Sequence, residues 1–477
     1  MSFSSLPSQL KNQRKVLFIS CFAEFGERYG YYILQSLLIF FLIERFGLSE
    51  ANSSTLVGTV MSVVYMSAII GGYISDKLIN HYVAAFLGSV LMILGSSLLA
   101  LSINENGLFL GLAFIAISTG LIKSNLASFI GDFYDRSSLS NSHRDFGFSV
   151  FYIGINLGVF LSTLFASTLK EKYGFSAAFY SSILFSSLMC IDLIIGFFVL
   201  RKYIKPIKLN FTLLLKLGGI IGGYVALVFE ALKYPTFANI AIWLALVLSL
   251  IIIFRSVQQS DYKRAVKMVV YSGLSILYFS LYAQIFISIL LFIDNTVSNQ
   301  LFSIHINNSQ FITILSVFVM LLGAATAKLW LIFEKNGRPI SDINKIIVGF
   351  VLLSIVFVVF YVASIFGNPQ EKISAWFVVF AFLILALSET CVLAMFPSIL
   401  TKIAPEGFVA LYMSVWLVTI GVGGKLAGTL AARINIPHEI NIARVNMAHG
   451  LLEFIFLSLL GVAICYVFRV WLQKSSH

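Results

Sequence analysis

Phe22-Ala23-Glu24-Phe25-Gly26-Glu27-Arg28-Tyr29-Gly30-Tyr31-Tyr32 is the stretch on which the reading turns. It lies inside an apolar run from about Leu17 to Ile43, long enough to cross a bilayer, yet it carries Glu24, Glu27 and Arg28. At 3.6 residues per turn, positions 24, 27, 28, 31 and 35 share one helix face. The charges, Tyr31 and Gln35 therefore form a single polar stripe. Each ionised side chain near the bilayer centre costs about 2.5–3.5 kcal/mol on insertion scales, so the stripe must face a protein interior or a watery cavity. One Glu–Arg pair could be no more than a lock between helices. Three charges with tyrosines on one face point to a transport pathway.

The rest of the chain fits a membrane setting. It has 477 residues, 59% hydrophobic and only 11% charged, with a mean hydropathy of +0.94. A soluble protein of this length carries roughly twice that charge. The net charge of +11 invites a nucleic-acid reading, but the basic residues sit in short loops between apolar runs, where membrane topology explains them better. Cys21, Cys190, Cys391 and Cys465 fall in separate apolar segments, with neither a disulfide framework nor metal-ligand spacing. No metal and no cofactor is expected. The N-terminus is polar up to Lys15 and runs into a span too long and too charged for a cleavable signal, so that span is expected to stay in the mature protein.

Apolar runs of about 20 residues recur to the end of the chain. They fall at about 16–44, 54–79, 82–102, 107–130, 147–169 and 176–200, then 267–293, 310–333, 343–366, 373–400, 408–432 and 447–472. Two more, about 211–231 and 237–255, lie between the groups of six. The spacing predicts an all-α membrane protein with 14 transmembrane helices: residues 1–202 as a six-helix bundle, 203–262 as a linker with two extra helices, and 263–477 as a second six-helix bundle. If the N-terminus is cytoplasmic, the outer segments hold only Arg45, Lys170, Lys172, Lys233, Lys372, Arg433 and Arg444 among the basic loop residues, and the rest lie inside. That bias places both termini in the cytoplasm. Lys216 and Lys328 can snorkel to an interface, whereas Arg28 and Lys123 lie too deep and need anionic partners. Lys425 could reach water if its helix is offset.

Gly72-Tyr73-Ile74-Ser75-Asp76-Lys77, at the inner end of the second run, resembles the Gly-x-x-x-Asp-Arg/Lys motif of the major facilitator superfamily. The opening stretch, Glu24-x-x-Glu27-Arg28, is similar to the Glu-x-x-Glu-Arg signature of the proton-coupled oligopeptide transporter family. Further matches follow in order. They are Tyr65; Ser118 to Asn125, which contains Lys123; Gly131-Asp132-Phe133-Tyr134; and Phe148 to Gly158, which contains Tyr152 and Asn156. In the second half come Leu281-Tyr282-Ala283-Gln284, Ser388-Glu389, Ala404-Pro405 and Val415-Trp416. The resemblance runs from about residue 16 to 472. The two extra helices match the bacterial branch, and the short outer loop Gly367–Ser374 lacks the large domain of animal members.

The resemblance implies the major facilitator fold and a bacterial inner-membrane symporter that imports di- and tripeptides with protons by alternating access, acting as a monomer. It assigns proton coupling to Glu24, Glu27, Arg28 and Lys123, with the glutamates paired to the two cations. It assigns substrate contact to Tyr31, Gln35, Tyr65, Lys123, Tyr152, Asn156, Phe279, Gln284, Asn308, Glu389 and Trp416. A zwitterion fits that set: Lys123, Gln35 and Asn156 suit a carboxylate, Glu389 and Asn308 an ammonium. Taken one at a time, Tyr65 and Tyr152 could be packing aromatics and Asn156 a helix–helix hydrogen-bond donor. The chain departs from the pattern at Gln35, where many members have arginine, at Ala283, where relatives with that arginine have an acid, at Phe279 for tryptophan, and at Leu393 for serine. These departures leave open a related transporter of another small solute, such as an amino acid, a peptidomimetic or an organic anion. A membrane-embedded enzyme or a sensor is the remoter alternative: no span carries a His-Glu-x-x-His or a nucleophile–base pair at helical spacing, and no sizeable soluble output domain is present.

Overall fold

Hydrocarbon offers the backbone no hydrogen-bond partner, so each apolar run must satisfy its own amides as a helix. The computed structural model, which describes residues 6–137, 139–208, 210–256, 262–338, 340–393, 395–405 and 409–474, bears this out for every run. The first six helices are α1 (Leu6–Phe40), α2 (Glu50–Lys77), α3 (His81–Leu101), α4 (Glu105–Asp135), α5 (Asn141–Tyr173) and α6 (Phe175–Val199). The two extra helices are α7 (Phe211–Lys233) and α8 (Pro235–Ser256). Then come α9 (Tyr262–Tyr282) and α10 (Ser288–Thr296), a small hairpin of β1 (Gln300–Leu301) and β2 (Ile304–His305), and α11 (Asn308–Lys335). The chain continues through α12 (Asp342–Ile365), α13 (Ala375–Val392), α14 (Met395–Ile403), α15 (Val409–Ala431) and α16 (Ile440–Lys474).

Polar caps fix several helix starts. The side chains of Asn80, Asn104 and Asn210 accept the backbone amides of Val83, Gly107 and Leu213 at 2.8–2.9 Å, which satisfies donors that the first helical turn leaves open. Thirteen helices among the described residues are long and apolar enough to span a membrane. α1 is as long but carries Glu24, Glu27 and Arg28 in mid-span, and with it the spans number fourteen.

Two spans expected as single helices are interrupted. The ninth breaks at Ala283, where the α-helix tightens into a 3₁₀ turn over Ala283–Phe286 before α10 begins. The twelfth ends at Val392 and restarts at Met395. Pro397 explains the second break, because it has no amide to give the carbonyl four residues earlier, that of Leu393. α1 also changes its winding at its outer end, with a π-turn over Phe41–Arg45. Arg444, expected in an outer loop, lies in a helix instead. α16 starts at Ile440, and Arg444 is buried, donating to the carbonyls of Ala363, Ser364, Phe366, Asn368 and Glu371. The C-terminal end of α12 leaves carbonyls without intrahelical donors, and a guanidinium with five N–H groups meets that need.

The chain divides into two units. The first is Met1–Leu38 with Val63–Pro235, and the second is Ile39–Ser62 with Thr236–His477. The extra helices therefore part company. α7 belongs to the first unit, where Tyr224 donates to the Val63 carbonyl at 2.7 Å, and α8 belongs to the second. Small residues set the packing in the first unit. A Cβ on Gly154 or Gly158 of α5 would come within 2.9 or 2.7 Å of α1 at Cys21 and at Phe25 and Arg28, and Gly88 and Gly95 of α3 meet α4 in the same way. Helices that share lipid as solvent gain little from apolar burial, so backbone approach at glycine and serine is what holds them together.

Candidate functional site

In the first unit the polar stripe of α1 is buried as expected. Glu24, Glu27, Arg28, Tyr31 and Gln35 all lie in the interior. Arg28 Nε is 3.3 Å from Glu24 Oε1 and makes a closer contact with Glu27 Oε2. The guanidinium also lies 5.7 Å from the centre of the Tyr31 ring, and the Tyr31 hydroxyl donates to Gln35 Oε1 at 2.9 Å. Glycine puts this group where it is. Gly158 lets α5 pass against Arg28 itself, while Gly26 and Gly30 seat α1 on Phe185, Met189, Ser182 and Ser186 of α6.

Lys123 arrives from α4. That helix touches α2 backbone to backbone at Gly71 and Gly120, and the Ser67 hydroxyl donates to the Ala116 carbonyl at 2.6 Å. One turn further on, the Lys123 ammonium stands 4.4 Å over the Tyr65 ring. The structure thus differs from the expected pairing of each glutamate with its own cation. Arg28 takes both glutamates: Glu24 lies one turn back on the same helix face, and the guanidinium also reaches the adjacent Glu27. Lys123 makes no ion pair within 4 Å among the described residues, although it lies close enough for its charge to interact with Glu24, Glu27 and Arg28. It faces a tyrosine ring instead, an arrangement that is worth more away from water. Glu24 Oε2, Glu27 Oε1 and Gln35 Nε2 have no hydrogen-bond partner among the described residues. Asn156 donates to the Tyr152 carbonyl on its own helix at 2.8 Å, and the Tyr152 side chain is 53% exposed.

In the second unit Glu389 lies one turn before the end of α13, and the Tyr282 hydroxyl donates to its Oε2 at 2.9 Å. Tyr282 is the last residue of α9, at the other broken span. Beneath this contact Tyr278 meets Ser388 at 3.0 Å, and Ser388 donates to the Gly349 carbonyl at 2.7 Å, which ties α9, α13 and α12 together. Phe279 is buried, its ring at right angles to that of Tyr278 and nearly so to that of Tyr282, and Gly423 of α15 makes room for it. The indole nitrogen of Trp416 has no partner among the described residues.

Two expected ligands are committed elsewhere. Gln284 donates to the carbonyls of Ser280 and Ala427, each at 3.1 Å, and accepts from Ser288 at 2.7 Å, so it fastens the broken helix to α15. Asn308 opens α11 and donates to Asp294. Thr326 of α11 meets Thr390, the neighbour of Glu389, at 3.2 Å, and Asn308 lies roughly 27 Å back along α11 at about 1.5 Å per residue, so the structure does not bring Asn308 beside Glu389. Tyr282 was missed as a partner for Glu389. Each is a polar residue closing an apolar stretch of its own run, but periodicity alone could not pair them.

A family model described as PTR2, POT family, matches residues 82–446. The dipeptide and tripeptide permease A of Yersinia pestis is 27% identical, over 98% of this chain and 95% of its own. The crystal structure of tetrameric PepTSo2 superimposes with a TM-score of 0.84 at 20% identity, covering 97% of this chain and 99% of that one. A peptide transporter, POT, solved in complex with sulfate gives a TM-score of 0.78 at 25% identity, covering 94% of each chain. With fourteen spans in this order and a family model over most of its length, the chain is a multi-pass membrane transporter of the POT family.

Proposed function

We propose that this chain is a proton-coupled symporter that imports di- and tripeptides across the bacterial inner membrane by alternating access. The observation that carries the reading is the buried group in the first unit, where two carboxylates share one guanidinium while a second cation stands close by without an ion pair. A fixed structural bridge would match one acid to one base. Here a proton arriving on either glutamate removes one negative charge, leaves Arg28 to the other glutamate, and alters the field at Lys123. The unpartnered oxygens Glu24 Oε2 and Glu27 Oε1 are where such a proton can be held. Proton movement thereby changes which state of the group is affordable in a medium that does not solvate charge.

The substrate class follows from the complementary charges of a peptide. Lys123, with Gln35 and Asn156 on neighbouring helices, suits the carboxylate, and Glu389, steadied by Tyr282, suits the ammonium. Tyr31, Tyr65, Tyr152, Phe279 and Trp416 supply aromatic walls that tolerate varied side chains. Gln284 and Asn308 act here through packing. Residues 1–202 and 263–477 are the two bundles that move, with 203–262 as an insert, and a monomer is the working unit. The relatives' association with di- and tripeptides supports the same assignment. The test is uptake of a labelled dipeptide into proteoliposomes with and without an imposed gradient, acid outside. Accumulation that follows the gradient and is competed by other dipeptides is expected. Uptake indifferent to the gradient would remove the coupling, and competition by free amino acids or organic anions instead of peptides would change the substrate.

A further inference from the structure

A buried lysine of the second unit is used by nothing described so far. Lys425 on α15 is only 7% exposed, and its ammonium donates to the Thr59 hydroxyl of α2 at 2.8 Å. No carboxylate lies within 4 Å of it among the described residues. Thr59 in turn donates to the Thr55 carbonyl at 2.9 Å, so its hydrogen is spent and only a lone pair faces the lysine. The surroundings are backbone. A Cβ on Gly58 would come within 2.6 Å of the Gly424 carbonyl, one on Gly428 within 2.5 Å of the Ser54 carbonyl, and one on Gly424 within 3.0 Å of Met61. Further along, Glu50 accepts the Ile436 amide at 2.6 Å. The outer half of α2 is thus seated on α15 along a glycine seam, and it belongs to the same unit as that helix.

Two features of the seam oppose each other. Glycine-to-glycine contact of helices in a membrane is stable and gives no reason to part. An ammonium with a single neutral acceptor is poorly solvated there and would be better off hydrated. From this opposition we infer that Lys425 is a positioning residue for the transport cycle. It bonds Thr59 when α2 and α15 are in contact, takes up water when they part, and so keeps the glycine seam from closing for good. This rests on the alternating-access reading above. The lysine and arginine distribution assigns this end of the helices to the outside.

The test measures seam opening apart from transport. Ser54→Cys, at a buried position in the seam, is exposed to a membrane-impermeant maleimide from outside, and the signal of the parent chain with its own cysteines is subtracted. Lys425→Met, which keeps the side-chain volume, should slow labelling about tenfold and lower the maximal rate of uptake more than the apparent affinity. Lys425→Arg should restore both. Thr59→Val, which strands the ammonium in the closed seam, should speed labelling, the opposite sign. Lys425→Gln serves if the methionine variant does not accumulate in the membrane. Equal labelling in Lys425→Met and the parent, or a shift of the same sign in Lys425→Met and Thr59→Val, overturns the inference. The labelling needs no substrate, so an error in the peptide assignment would leave this result standing, and a failure here would leave that assignment untouched.

Discussion

In the first unit the charged side chains ride on helices that run unbroken through the site, α1 and α4, and four ionisable groups lie near one another. In the second unit a single carboxyl, Glu389, sits one turn before a break, and its partner Tyr282 is the last residue before another. The contrast is physical. Opposite charges kept away from water must be held at fixed separations, and a continuous helix locked by glycine contacts does that. A group that meets a ligand of variable length gains from a joint, and interrupted helices are where transporters place such groups. The proposed division, coupling in the first unit and adaptable recognition in the second, follows this difference.

Removing the second cation of the first unit is the largest test of that division. Lys123→Ala should abolish gradient-driven accumulation, a loss of at least about a hundredfold, the scale of several kcal/mol for a charge left unbalanced out of water. Exchange of peptide at equal pH should survive in part, and the protein should still insert and fold. Normal concentrative uptake by this variant would place the coupling outside the α1–α4 group.

In the second unit the corresponding change should affect binding instead of coupling. Glu389→Gln removes one charge-assisted hydrogen bond, about 1.5–3 kcal/mol, and so should weaken peptides with a free amino terminus roughly ten- to a hundredfold. N-acetylated peptides should lose much less, and the response to the gradient should persist. Competition assays with matched free and acetylated dipeptides report the difference. Equal losses for the two would make Glu389 a structural group at the α13 break.

How much of this could be read beforehand depends on the range of the interaction. The helix spans follow from local hydropathy, and the polar face of α1 from spacing alone, because residues 24 to 35 share one helix and meet through its own geometry. Contacts between distant segments were illegible. Nothing in the sequence shows that Arg28 takes both glutamates while Lys123 faces Tyr65, since that depends on how closely Gly71 and Gly120 bring α2 to α4. Arg444 misled for the same reason. Its spacing places it outside an apolar run, but the open carbonyls at the end of α12 draw it in. Asn308 suits an ammonium by chemistry alone, yet the fold sets it against Asp294. Pro397 marks the break after Glu389, but the apolar run continues through it and hydropathy alone hides it.

The smallest expected effect sharpens the comparison most, because it applies one substitution to both units. Lys123 meets Tyr65 through the ring face, whereas Glu389 meets Tyr282 through the hydroxyl. Tyr→Phe keeps a ring face and removes a hydroxyl. Tyr65→Phe should therefore retain most coupling and affinity, within about twofold, because a phenylalanine face still attracts a cation. Tyr282→Phe should cost about 0.5–1.5 kcal/mol, roughly a two- to tenfold loss of affinity for free-amine peptides, as the Glu389 carboxyl loses the donated hydroxyl hydrogen. Combined with Glu389→Gln the Tyr282 effect should shrink, since both changes touch the same bond, and the double-mutant cycle in competition assays reads that shortfall directly. Simple addition of the two losses would separate Tyr282 from Glu389. A larger loss at Tyr65 than at Tyr282 would mean that the hydroxyl, not the ring, matters in the first unit, and the division between the units would have to be redrawn around hydrogen bonds in both.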